Sequence, residues 1–178
     1  FSEDPEQFMN GLCSTMNHAV CHYGKENKIN SMGTTAAMLA FGKENVYSCN
    51  LGDSRIYQIS SEGKLGQLSL DHVLGGGRFG KPPLTQYLGI PEESMGLEPT
   101  IVPQKAEIGT RYLICSDGIT DMLSDGEIAD ILTREISVSE TVELLVERAL
   151  IKGGRDNITV ILCELVEQEK SLFGKLLN

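Results

Sequence analysis

NVYSCNLGDSRIYQIS, residues 45–60, decides how the chain is read. Two strand-like runs, NVYSCNL and SRIYQIS, flank Gly52-Asp53, a pair suited to a tight reversal between antiparallel strands. Outward from this stretch the pattern repeats. TTAAMLAF (34–41) precedes it across a Gly42-Lys43 turn, and LGQLSL (65–70) follows it across Ser61-Glu62-Gly63. These runs predict an antiparallel meander. RYLICS (111–116) reads as a further strand, apolar enough to be central, and NITVILCEL (157–165) as the last.

Helical periodicity frames the strands. Phe8, Leu12, Met16, Ala19, Val20 and Tyr23 recur at helical spacing, which predicts an amphipathic helix over 5–24. Ser124 with Glu127, and Ser137 with Glu140, each fit a capping box ahead of an apolar-periodic run. The order helix, strands, helices, strand gives an α+β class rather than alternating βαβ units.

Composition excludes several functions. The 178 residues suffice for one domain, and a formal charge of −10 argues against nucleic acid, whose binding needs clustered Lys and Arg. No apolar run is long enough for a membrane span, and the first residues have no signal-peptide pattern. The five cysteines are widely spaced without a C-x-x-C, so neither a disulfide framework nor a zinc site is expected, and a reducing cytoplasm fits best.

DHVLGGGRFGKPPL (71–84) spells G-x-x-x-x-G-K from Gly75 to Lys81, most of a nucleotide-binding loop. That loop needs Ser or Thr after the Lys and a helix starting there. Lys81 is followed instead by Pro82-Pro83, which removes a backbone N–H and disfavours helical geometry. The stretch reads as a flexible surface loop.

The acidic turns carry more information. Asp53 sits in the turn of NLGDSRIY, Asp117 just past the strand of LICSDGITDML, with Asp121 four residues on, and Asp156 before the last strand in KGGRDNITVIL. Any one alone is an ordinary turn former. Together they can supply the hard oxygen ligands that Mg or Mn prefers. A calcium EF-hand fails, because Ile119 occupies a ligand position. Asp125 suits the start of the next helix.

These stretches, with MGTT (32–35), DH (71–72) and LTQYLG (84–89), occur in an order that resembles the bacterial metal-dependent type 2C protein serine/threonine phosphatases, over about residues 8–165. The resemblance implies an antiparallel β-sandwich flanked by α-helices, as a single phosphatase-like domain over 1–166 with a short flap at 73–83 and a polar tail at 167–178. It implies Asp117 and Asp156 as catalytic ligands of a dinuclear centre, and Asp53 and Asp121 with Asp117 at a third metal site. Gly118 joins the metal set, and Asn157 and Thr159 support the Asp156 turn. Arg78 and Lys81 are the expected substrate contacts. Gly33, Thr34 and Thr35 are expected to begin a buried strand, Arg55 to pair with an acidic neighbour or with substrate, the structural role being preferred, and His72 to make a loop contact.

The implied chemistry is hydrolysis of phosphoserine or phosphothreonine in proteins by water activated between Mn or Mg ions, two or three in the complete domain. The implied partners are a phosphoprotein substrate and an opposing Ser/Thr kinase. The family's N-terminal segment, with further metal ligands and a phosphate-binding Arg, has no counterpart in this sequence. The alternative expectation is therefore a catalytically incomplete, partner-binding module.

Overall fold

The computed structural model describes residues 4–75, 81–91 and 93–167. Four layers stack as helix, sheet, sheet, helices. Helix α1 (Pro5–Glu26) is followed by strands β1 (Ala36–Phe41), β2 (Asn45–Leu51), β3 (Arg55–Ile59), β4 (Leu65–Gln67), β5 (Thr100–Lys105) and β6 (Arg111–Cys115). Helices α2 (Asp117–Thr120), α3 (Asp125–Leu132) and α4 (Val138–Ile151) precede β7 (Val160–Glu164). One antiparallel sheet has the order β1-β2-β5 and the other β4-β3-β6-β7. The expected α+β sandwich is the fold observed.

The expected meander is broken at Gly52-Asp53. β2 and β3 do not pair; the chain crosses there from one sheet to the other. Gly52 makes the crossing with φ +105°, and a Cβ on it would lie 2.3 Å from Thr35 Cγ2, so only glycine suits the turn. β5 is the strand that periodicity missed. TIVPQK has no clean alternation, and Pro103 speaks against a strand; yet among the described residues β5 pairs only with β2 and lies on a sheet edge, where proline is tolerated. Gly33 and Thr34 are exposed and β1 is mostly half-buried, which corrects the expectation of a buried strand.

Both sheets contribute buried residues from their two faces, although Phe41 of β1 and Ile161 of β7 stay exposed. Met9 and Cys13 of α1 pack on Cys49 and Leu51 of β2. On the far side Tyr57, Ile59, Leu113 and Cys115 pack on Ile119, Ile128 and Leu145 of the helices. Because side chains alternate along a strand, the intervening Ile56 and Tyr112, both fully buried, fill the space between the sheets. Burying a side chain such as Ile128 or Leu145 contributes roughly 1.5–3 kcal/mol. Within α1, the buried Asn17 accepts from the N–H groups of Gly89 and Ile90 and donates to the Ile90 carbonyl, fixing the loop after residue 84 to the helix.

Both capping boxes form as expected, at Ser124/Glu127 and Ser137/Glu140. Glu127 also pairs with Lys152 at 2.6 Å, joining the start of α3 to the end of α4. Chiefly the bond from Lys152, and then the Ser124 N–H, hold the Glu127 carboxyl at about 2, below its ordinary 4.5. The unfolded chain binds this proton more tightly, so the contribution is complete above about pH 4.5 and is lost as pH falls toward 2. Thermal melts check this. Glu127→Gln lowers Tm near neutral pH, and its gap to the parent chain narrows steadily below about pH 4.5.

Candidate active site

Asp117 and Asp156 are brought together by backbone. β6 and β7 pair antiparallel, so the end of β6 at Cys115 lies opposite Val160 at the start of β7. Beyond this pair the two loops are tied by Ser116. Its N–H donates to the Thr159 carbonyl, its hydroxyl donates to the Asn157 carbonyl, and that hydroxyl accepts from the Thr159 N–H. Asn157 donates its N–H to Asp156 Oδ1 at 2.8 Å, closing the turn around that carboxylate. Asn157 and Thr159 therefore act through their backbone groups, and Ser116, which no sequence pattern singled out, is their partner.

Gly118 sits inside this junction, buried against the Asn157 peptide. A Cβ there would meet the Asn157 carbonyl oxygen at 2.3 Å. The close approach lets α2 begin directly beside the Asp156 turn.

Lys81 enters from the loop that precedes Leu84. Its Nζ donates to Asp117 Oδ2 and to Asp156 Oδ2, the latter at 3.0 Å, and pairs with Asp121 Oδ2 at 3.1 Å. The bond to Asp117 first, and that to Asp156 next, raise the lysine pKa well above its ordinary value. In turn Lys81 lowers the Asp156 pKa, helped by the Asn157 N–H. Arg78 lies outside the described residues. No helix follows Lys81, so the glycine-rich stretch has no phosphate-binding helix start behind it.

Asp53 faces the same cleft, a space of about 600 Å³ bordered by Asp53, Asp117, Ser116, Lys81 and Tyr87. Burial, and then the negative charge of Asp117, push its pKa up. The structure thus gathers Asp117, Asp121 and Asp156 on one ammonium and sets Asp53 beside Asp117.

The Asp53 turn is held from behind. Arg55 makes a two-pronged bond to Asp71, with Nε 2.9 Å from Oδ1 and Nη2 2.6 Å from Oδ2. It also donates to the Tyr57 hydroxyl at 2.9 Å. Of the two partners expected for Arg55, the one found is an acidic neighbour. His72 Nδ1 accepts from the Gly52 N–H at 3.1 Å, which leaves Nε2–H to donate to Thr100 Oγ1 at 2.9 Å. Burial lowers the His72 pKa, in keeping with this neutral tautomer.

Carboxylate oxygens around a single cation are the donor set that Mg or Mn takes. Their spacing as found is that of an ammonium, since Mg–O distances are only about 2.0–2.1 Å. Among the described residues no group of three His, Cys, Asp or Glu side chains is arranged to hold a metal ion. Cysteine chemistry is disfavoured beside this site, because burial pushes the Cys115 thiol up to about 12.

The sequence profile of the family described as "Protein phosphatase 2C" matches residues 2–152. A serine/threonine phosphatase stp of Listeria welshimeri is 32% identical over 175 residues, an alignment covering 92% of this chain and 69% of that protein. Among solved structures, the serine/threonine phosphatase of S. agalactiae superposes with a TM-score of 0.80 at 30% identity, covering 94% of this chain and 74% of the other. The catalytic domain of the serine/threonine protein phosphatase PstP, in complex with two manganese ions, gives 0.81 at 29% identity, with coverages of 94% and 74%.

The close packing at Gly118 yields a direct test. Gly118→Ala drives a methyl group into the Asn157 carbonyl and destabilises the fold by about 1–3 kcal/mol. Urea unfolding measures the loss, and a control Gly126→Ala, where a Cβ meets nothing within 4 Å, shows no comparable effect.

Proposed function

Because the chain belongs to the protein phosphatase 2C family, we propose that it serves to hydrolyse phosphoserine and phosphothreonine in proteins with bound Mn or Mg. The observation that carries this reading is the convergence of Asp117, Asp121 and Asp156 on one cationic point, with Asp53 in the same cleft. Under this reading Asp117 and Asp156 hold the core ions, and Asp53 and Asp121 join Asp117 at a third. Ions bound there supply an acidified water and neutralise phosphate charge, which carboxylates alone would repel. The protein's own part is positional. The Ser116 junction fixes the Asp117–Asp156 separation, Gly118 keeps α2 close to it, and Arg55 with His72 aims the Asp53 turn. Lys81 is the cation of this cleft that would meet a phosphoprotein, and Arg78 is proposed with it from its position in the sequence alone.

The same reading makes residues 1–166 one catalytic domain followed by a tail, acting in a bacterial cytoplasm against a Ser/Thr kinase. Among the described residues no helix is long and apolar enough to cross a membrane.

A second reading, a partner-binding module without turnover, is favoured by one observation: the described carboxylates are spaced for Lys81 rather than for a metal. Phosphate release from a phosphothreonine peptide separates the two. It is measured against Mn²⁺ concentration, for this chain and for a version extended with the family's leading segment. Turnover that requires Mn²⁺, stops with EDTA and is nearly abolished by Asp117→Asn is the expected result. Absence of Mn²⁺-dependent turnover from both forms overturns the phosphatase reading and leaves the module.

A further inference from the structure

Lys81 stands where a cation is wanted. An ammonium has three N–H donors; Lys81 donates to Asp117 and Asp156 and forms an ion pair with Asp121 at the same time. Three formal negative charges thereby share one positive charge at short range. A divalent ion bound by the same oxygens would need those of Asp121 and Asp156, now 3.1 and 3.0 Å from the ammonium, about 1 Å closer to the common centre. The two cations cannot occupy that point at once.

The way Lys81 is mounted bears on how it leaves. Pro82 follows it directly, which confines the Lys81 backbone to extended geometry, and Pro83 stiffens the next link. The backbone end is thus held, while the four-carbon stem rotates freely and is half-exposed, with 49% of the side chain accessible. Departure of the ammonium needs only side-chain torsions, which are fast.

We propose that Lys81 is a tethered counter-cation that occupies the carboxylate centre in the metal-free protein and competes with the divalent ion for Asp117, Asp121 and Asp156. This rests on the reading of those carboxylates as metal ligands. The lysine keeps the acidic loops from repelling one another when no metal is bound. It also tunes how much metal is needed, because the ion binds only the fraction of molecules whose lysine has swung out. Once displaced, the same ammonium stands at the rim of the cleft, free to pair with a phosphate.

Calorimetric titration of Mn²⁺ into the EDTA-stripped chain tests the competition. If the lysine occupies the centre nine-tenths of the time, Lys81→Met, which keeps the stem and removes the charge, binds Mn²⁺ about tenfold more tightly. Lys81→Arg, which keeps the charge, stays near the parent affinity. Equal or weaker binding by Lys81→Met overturns the competition while leaving the phosphatase reading intact. No Mn²⁺ binding by either protein overturns both. Circular dichroism establishes that the variant is folded. Should it not be, acylation of the Lys81 amine in the unmodified chain decides instead, followed by peptide mass spectrometry. Faster acylation with Mn²⁺ present is expected, and an unchanged or slower rate overturns the proposal.

Discussion

The candidate site depends on how closely two backbones approach at Gly118 and Asn157. Asp117 begins a helix and Asp156 closes a turn, 39 positions further along the chain. They meet because β6 and β7 are neighbours, because Ser116 bonds across the gap, and because Gly118 presents no side chain to the Asn157 carbonyl. Lys81, Asp121 and Asp53 are arranged around that junction. Each reaches it from a different part of the chain, so the junction supplies the common frame on which the site is built.

The electrostatics follow from this frame. Four carboxylates near one point raise one another's proton affinity unless a cation is present. Asp53, partly buried and beside Asp117, shows the raised pKa. Asp156, bonded to Lys81 and to a backbone N–H, shows the lowered one. The difference between two aspartates in one cleft is thus first one of burial at Asp53 and then one of partners. It explains why an acidic protein can carry such a cluster at all.

Much of this was legible in the sequence. Alternating apolar residues gave β2, β3, β6 and β7, and Ser-x-x-Glu gave the starts of α3 and α4, because those signals are local and strong. β5 was not legible, since an edge strand containing Pro103 has no alternation to betray it. Nor was the division of the strands into two sheets, because a Gly-Asp turn looks the same whether it closes a hairpin or crosses a sandwich. At the site, the aspartates were visible as a set only through the order of motifs. Ser116 was invisible, as its role lies in hydrogen bonds to residues more than forty positions away. The pairing of Lys81's charge with three carboxylates likewise depends on a loop path that spacing does not encode.

The stretch after β4 has a mechanical meaning. Ser69 accepts from the Ile56 N–H of one sheet, while Leu70 exchanges bonds with Asn50 and His72 bonds to Gly52 and Thr100 of the other. Four consecutive residues, 69–72, thus stitch both layers with short polar bonds at the end that carries the acidic turns. Apolar faces resist separation yet slide with little directional penalty, whereas hydrogen bonds fail under small lateral shifts. The seam therefore acts as a shear pin. It keeps registration at the end where a misplacement of one ångström would matter.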